Sequence, residues 1–352
     1  MKIIQIPRDY QIWTGQEEID FSKRVLMSVD YWGELFGSTG AEIRIFEPML
    51  TPPLAPITNL GGIWKIYIDQ IVRFQGYLED SYKERVKGGN ILTFSLRGVL
   101  CAWDLLLTNT TFGVSGADHT INNMTEYLQY LINQAVSLSG IQFNGIIPSN
   151  NVAFDDLYEN GILSVVNSSY LTEIQKACQS LGFQIFTNPF SGDVQIINPL
   201  EVPGNYFQLL DDEIVKAGFT IDFPSIPATV LVNDDISNIG KSYGHIPSDG
   251  ISPNETNYNM TGINNLAFAT VSGMKETALG GIAHKIYDIS RKASQVLTVK
   301  KANLEAVYDR RALAEILTWT DSSQRIGEYI IDYFRASIQP NEISTEIRAF
   351  VK

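Results

Sequence analysis

The side chains best suited to chemistry are few and scattered. The chain has three histidines, His119, His245 and His284. They lie far apart and read as surface or capping residues rather than as metal ligands or general bases. Acidic runs occur at Asp155-Asp156, Asp211-Asp212-Glu213 and Asp234-Asp235. A glycoside hydrolase needs two carboxylates facing each other across a cleft, about 5–10 Å apart. Neighbours on one loop do not supply that, so these runs read as solvated loop charges. Asp234-Asp235 could help hold a cation, but it lacks the regular ligand spacing of a calcium loop. Cys101 and Cys178 each sit in an apolar run and read as buried thiols, without a disulfide, which suits synthesis in a reducing cytoplasm. There is no Gly-x-Ser-x-Gly elbow, phosphate loop or His-Glu-x-x-His. Gly61-Gly62 and Gly280-Gly281 read as simple turns. No catalytic, cofactor-binding or metal-binding residue is nominated, and no cofactor is expected.

Composition narrows the classes further. A chain of 352 residues suggests two or three domains. Its 44% hydrophobic and 18% charged residues are a globular balance, with charge low enough to favour covered surfaces. A net charge of −13 makes it a poor partner for a phosphate backbone. Acidity suits a wall that nucleic acid slides past, and it also aids solubility. Residues 1–13 have no apolar core of a signal peptide, and no run approaches the length of a membrane span. Asn-x-Ser/Thr triplets at Asn109, Asn123, Asn167, Asn254 and Asn259 read as chance. The 16 tyrosines and 17 phenylalanines fall mostly on faces that want a core or a subunit interface.

The elements that would position these residues divide the chain in three. Residues 1–110 read as β, with strands at Lys2–Ile6, Ala41–Phe46, Ile63–Ile68, Val72–Asp80 and Asn90–Arg97. A Pro-rich loop lies at 51–62 and a tight turn at Lys87-Gly88-Gly89-Asn90. Residues 111–200 read as α+β. Met124, Tyr127, Leu128, Leu131, Ile132 and Ala135 recur at helical spacing and predict a helix over 120–138. A second helix carries Leu171, Ile174, Ala177, Cys178 and Leu181, with Ser168 or Ser169 as N-cap and Gly182 as the left-handed residue after its end. Phe183–Thr187 and Asp193–Asn198 read as a hairpin, and 144–161 as turn-rich. Residues 201–352 return to β, with strands at Ala217–Phe223, Ala228–Val232, Leu266–Ser272, Ser294–Lys300 and Glu342–Val351. A long polar loop spans 233–265. Helices are predicted at 302–317 and at 322–336, the latter with Asp321 as N-cap, Gln324 in a capping box, and Ile326, Tyr329, Ile330, Tyr333 and Phe334 as its stripe.

Two stretches carry a resemblance. Val72-Arg73-Phe74-Gln75-Gly76-Tyr77-Leu78-Glu79-Asp80, followed by Leu92-Thr93-Phe94-Ser95-Leu96-Arg97-Gly98-Val99-Leu100 and Asp104-Leu105, resembles a stretch of the baseplate hub proteins of contractile-tailed phages and related injection systems. Leu171–Phe183, with the hairpin and Val194-Gln195-Ile196-Ile197-Asn198-Pro199, resembles the helix-hairpin module in the middle of the same proteins. The resemblance implies a mainly β, α+β fold: two tube-protein-like β-barrels, in 1–110 and 201–352, flanking a small α+β domain in 111–200.

It further implies a homotrimer whose six barrels form a pseudo-sixfold ring. The ring would join the hexameric tail tube protein to the trimeric central spike and contact baseplate wedge proteins. It would enclose a channel for the tape measure protein and for DNA, which passes without specific binding. The place implied is the virion tail baseplate, after synthesis in a host bacterial cytoplasm. Where the family continues through several more strands, this chain has one after 336, so the second barrel is expected to be completed by the 217–300 strands or by a neighbour. The readings set against this one are an adhesin or carbohydrate-binding β module, which exposed aromatics lining a groove would favour, and a cell-wall hydrolase, which a buried carboxylate in a deep cleft would favour.

Overall fold

The structure, a computed structural model, describes residues 10–14, 18–35, 38–49, 51, 62–68, 70–148, 152–188, 193–199, 206–208, 214–221, 227–244, 266–271, 273–293, 295–301, 316–320, 326–339 and 342–351. The first third holds β1 (Tyr10–Trp13), β2 (Val25–Glu34), β3 (Gly40–Pro48), β4 (Ile63–Ile68), β5 (Ile71–Val86) and β6 (Gly89–Gly98). The middle holds α1 (Cys101–Asp104), β7 (Leu107–Gly113), β8 (His119–Thr120), α2 (Met124–Ser139), α3 (Phe154–Leu157), β9 (Ile162–Ser169), α4 (Tyr170–Leu181), β10 (Gln184–Thr187) and β11 (Val194–Ile197). The last part holds β12 (Tyr206–Gln208), β13 (Ile214–Ile221), β14 (Thr229–Asp234), β15 (Gly240–Gly244), β16 (Leu266–Val271), α5 (Glu276–Ala293), β17 (Gln295–Lys301), β18 (Ile316–Thr320), β19 (Ile326–Gln339) and β20 (Glu342–Val351). The fold is α+β and mainly β, with a large curled sheet.

That sheet has 12 strands in the order β1-β4-β5-β6-β3-β2-β19-β20-β17-β13, with β18 beside β19 and β12 beside β18. Its seam is the antiparallel pairing of β2 with β19, from Glu34 opposite Tyr333 to Val29 opposite Ile338. Strands from the two ends of the chain therefore make one sheet. The alternation in the sequence explains which face is core. Ala41, Ile43 and Ile45 of β3 turn inward with Leu92, Phe94 and Leu96 of β6, while Glu42, Arg44, Thr93 and Ser95 turn outward. The inward residues join Val29, Tyr31, Trp64, Phe74, Leu297, Phe334 and Ile347 in one hydrophobic core. Gly76 is required where β5 meets β6, because a Cβ there would lie 2.1 Å from the Arg97 carbonyl oxygen.

A second core is built from the middle of the chain and from residues 230–287. The apolar stripe of α2 packs there with α4, β14 and α5. The α4 helix has the caps read from the sequence: the Ser169 side chain accepts from the Thr172 amide, and Gly182 is left-handed at φ 74°. The three-stranded sheet β15-β14-β16 lays Val230 and Val232 against α5.

The structure corrects four sequence expectations. Residues 326–339 are a strand, not the end of a helix over 322–336. Asp332 is an extra residue, since Ile331 faces Ala349 and Tyr333 faces Arg348. This bulge breaks the period of two, so that inward residues fall three apart and imitate a helical stripe. The high β propensity of Ile, Tyr and Phe prevails. Residues 316–320, the end of the helix expected over 302–317, are the strand β18. Gly280-Gly281 is no turn but lies inside α5, on its open side, where a Cβ would meet nothing. The polar loop 233–265 contains the strand β15. The strand Lys2–Ile6, the Pro-rich loop at 52–61, residues 245–265 and 302–315, and the capping pair Asp321 and Gln324 lie outside the described residues.

Candidate functional site

The outward face of the sheet seam is polar. A shallow groove of about 270 Å³ crosses it, lined by Asp30, Trp32 and Glu34 of β2, Glu42 of β3, and Tyr333 and Arg335 of β19. Arg335 pairs with Asp30 at 3.0 Å. Asp30 stands directly opposite Glu42, a like-charge pairing that costs a few tenths of a kcal/mol on an exposed sheet. Further along, Lys300 bridges Glu346 at 3.4 Å, and the Arg348 guanidinium lies 5.1 Å from the centre of the Tyr333 ring. Charges of both signs therefore alternate across the seam.

Two buried carboxylates, each paired with an arginine, hold the edges of the first core. Asp332, the bulge residue, is buried and receives Arg348 through Nε and Nη2, both at 3.0 Å. Burial pushes its carboxyl pKa up, and Arg348 works against that shift. Glu47, also buried, takes Arg24 at 3.3 Å and Lys83 at 3.8 Å.

The second core contains a polar cluster that the sequence reading did not single out. Glu173, in the first turn of α4, is 4% exposed. Its oxygens accept from Ser168 Oγ at 2.6 Å, Lys176 Nζ at 3.0 Å and Tyr127 OH at 3.4 Å. Burial raises the Tyr127 pKa well above its ordinary value, and raises that of Tyr158 beside it. These side chains line a cavity of about 300 Å³, with Asp235 also on its wall. Glu173 is thus a buried carboxylate in a cleft, but all three of its contacts donate to it, so it serves as an acceptor. The only advance sign was an acidic residue in a first helical turn, which the helix dipole already explains.

The residues named from the sequence do not converge. His119 meets Tyr130 OH at 2.9 Å and packs on Phe112. His284 stacks on Tyr243 and contacts Asp288 at 3.2 Å. His245 and Asp211-Asp212-Glu213 lie outside the described residues. Asp155 and Asp156 are exposed in α3. Asp234 corrects the reading as a solvated charge: it is 1% exposed and accepts from the amides of Ser237 at 2.6 Å and Met274 at 3.1 Å. Burial alone would raise its pKa, but these hydrogen bonds prevail and lower it. It ties the β14 turn to the start of α5. Cys178 is buried, Cys101 is half-buried, and both are free thiols. Among the described residues no group of three or more His, Cys, Asp or Glu could hold a metal ion, and no helix is long and apolar enough to cross a membrane.

This architecture is that of tail proteins of phages and related injection systems. The tail protein of Neisseria meningitidis superposes with a TM-score of 0.64 over 97% of this chain and 95% of its own, at 14% identity. The 43 kDa tail protein of prophage MuSo2 from Shewanella oneidensis gives 0.68 over 97% of both chains, at 10% identity. An Escherichia coli component of the type VI secretion system, described as structurally similar to the bacteriophage T4 tail proteins gp27 and gp5, gives 0.61 over 98% of this chain and 77% of its own, at 9% identity. No protein-family profile and no curated protein matches the sequence. The chain has the fold of these tail proteins.

Proposed function

We propose that this chain is the structural hub of a tail baseplate and has no catalytic activity of its own. Three copies form a ring that joins a hexameric tail tube protein on one face to a trimeric central spike protein on the other. Baseplate wedge proteins surround it. Tape measure protein and DNA pass through its channel, and the DNA is not gripped. The protein resides in the virion tail baseplate after synthesis in the host bacterial cytoplasm. Residues 1–110 form the first barrel-like unit, 111–200 the middle domain, and 201–352 the second unit, whose 230–287 portion shares the middle core.

The single observation that supports this reading is the β2–β19 seam. It fuses strands of residues 10–98 with strands of residues 295–351 in one sheet. One chain thereby presents two sheet halves side by side, and three chains present six, as a threefold-to-sixfold adaptor needs. The net charge of −13 suits a wall that repels passing DNA. The test is the mass in solution by light scattering on a sizing column across a concentration range, alone and with tube protein. A trimer in either condition is expected. A monomer throughout, with no association, would overturn the ring.

A further inference from the structure

The sequence holds two Asn-Gly pairs, Asn144-Gly145 and Asn160-Gly161. Such a pair carries chemistry of its own. The glycine amide nitrogen can attack the side-chain carbonyl of the preceding asparagine, because glycine has no Cβ to hinder the approach. The fold sets the two pairs in different surroundings. Asn160 is exposed but held in a left-handed turn at φ 55° and ψ 16°. The Gly161 amide donates to the Tyr158 carbonyl at 3.0 Å, and the Gly161 carbonyl accepts from the Val114 amide at 3.1 Å. The attacking nitrogen is engaged there, and the glycine is fixed through both its amide and its carbonyl.

Asn144 is exposed in irregular chain between α2 and α3. Among the described residues no hydrogen bond holds the Gly145 amide. Packing favours glycine at this position, since a Cβ would crowd the Phe143 ring at 3.0 Å and the Gln195 Cα at 3.1 Å. The Asn144 side chain ties this segment to the β10–β11 hairpin: its Nδ2 donates to Asp193 Oδ1 at 2.8 Å, next to the bridge between Phe143 and Val194.

We propose that Asn144 is a site of spontaneous deamidation, while Asn160 is protected by its turn. The Gly145 nitrogen gives its proton to hydroxide and bonds to Asn144 Cγ. The Cγ–Nδ2 bond breaks, and that nitrogen takes a proton from water and leaves as ammonia. Water then opens the succinimide at either carbonyl, giving aspartate or isoaspartate. A carboxylate replaces the amide that donated to Asp193, so a hydrogen bond becomes a repulsion between like charges and the segment loosens from β11. The test is peptide-mass mapping of the whole folded chain during incubation in mildly alkaline buffer, beside a synthetic peptide spanning Gln142–Ile147. Cleavage before Asp155 puts the two asparagines on separate fragments. A mass gain with isoaspartate is expected at Asn144 first, faster at higher pH, with Asn160 unchanged at that time. Asn144→Gln, whose longer side chain closes the ring far more slowly, should abolish it. No gain at Asn144 once the peptide has fully reacted, or a gain at Asn160 first, overturns the proposal. Asn144→Asp makes the product directly, and amide exchange should quicken in β11. Exchange unchanged there would overturn the loosening.

Discussion

The two cores of this protein meet buried charge in different proportions of cation, hydroxyl and amide, although Lys176 also reaches Glu173 in the second. The sheet core is assembled from the two ends of the chain, and its buried carboxylates, Glu47 and Asp332, are each met by arginine from a neighbouring part of the sheet. The mixed core is assembled from nearer segments, and its buried carboxylates are met mainly by hydroxyls and backbone amides: Ser168 and Tyr127 on Glu173, and Ser237 and Met274 on Asp234. In the sheet core an arginine 16 or 23 residues away along the chain meets a carboxylate buried at a bulge or a strand end. In the mixed core a helix start and a turn place Ser168 and Ser237 within 5 residues of their carboxylates, while Tyr127 and Met274 reach them from 46 and 40 residues away. The arginines tie neighbouring parts of the sheet, and the hydroxyls and amides tie a helix start and a turn both to themselves and to segments 40 or more residues away.

Substitutions can break this contrast, and the largest effect is expected from the cores themselves. Phe334→Ala removes a fully buried ring that meets Tyr31 across the seam, and should cost about 3–5 kcal/mol. Amide exchange should then accelerate in β2, β3, β19 and β20 but not in α2 or α4. Leu128→Ala in the mixed core should show the reverse pattern, and uniform acceleration in both would mean that the cores do not unfold separately.

Next in size is Arg348→Met, which leaves Asp332 buried without its cation and should cost about 2–3 kcal/mol in chemical denaturation at neutral pH, allowing for the partly exposed guanidinium. The pH dependence sharpens it. The folded-state pKa of Asp332 is raised above 3.8, so between these values the folded chain binds more protons than the unfolded one. On account of this group, stability is greatest at low pH and falls as pH rises through that window. Without Arg348 the window extends upward, so lowering the pH should recover stability in the variant more than in the native protein.

Asp234→Ala strands two amides at the β14 turn and should cost about 2 kcal/mol in the same assay. The native contribution of Asp234 has the opposite pH sense. Its folded-state pKa is lowered, so that contribution is complete above the ordinary value and is lost as pH falls through the lowered one. Ser169→Ala removes the α4 N-cap and its bond to Asp104, for about 1 kcal/mol read as a small fall in the thermal midpoint. The smallest effect is Glu42→Gln, which relieves the opposition to Asp30 and should stabilise by a few tenths of a kcal/mol, most visibly at low salt.

How far the sequence could be read follows the same division. The α4 helix, its caps and the hairpin after it were legible because every signal lies within a few residues. So were β3, β4, β5 and β6, whose alternation is clean. The long strand β19 was not, because the Asp332 bulge shifts its inward set and the partners that decide its state, β2 and β20, include one some 300 residues away. The α5 helix had an apolar stripe in Leu279, Ile282, Ala283, Ile286 and Tyr287, but Gly280-Gly281 drew attention to a turn. Two glycines inside such a helix cost about 1 kcal/mol each, which packing against β14 and β15 outweighs. The Glu173 cavity was illegible since Tyr127, Tyr158 and Asp235 meet it only through the fold.

The central claim, that three chains with two sheet halves each make one ring, is tested most directly by electron-microscope images of the purified protein bound to tail tube protein. Averaged end views are predicted to show threefold symmetry with six peripheral lobes around an open channel. Particles with twofold symmetry, or single chains beside an undecorated tube, would contradict it.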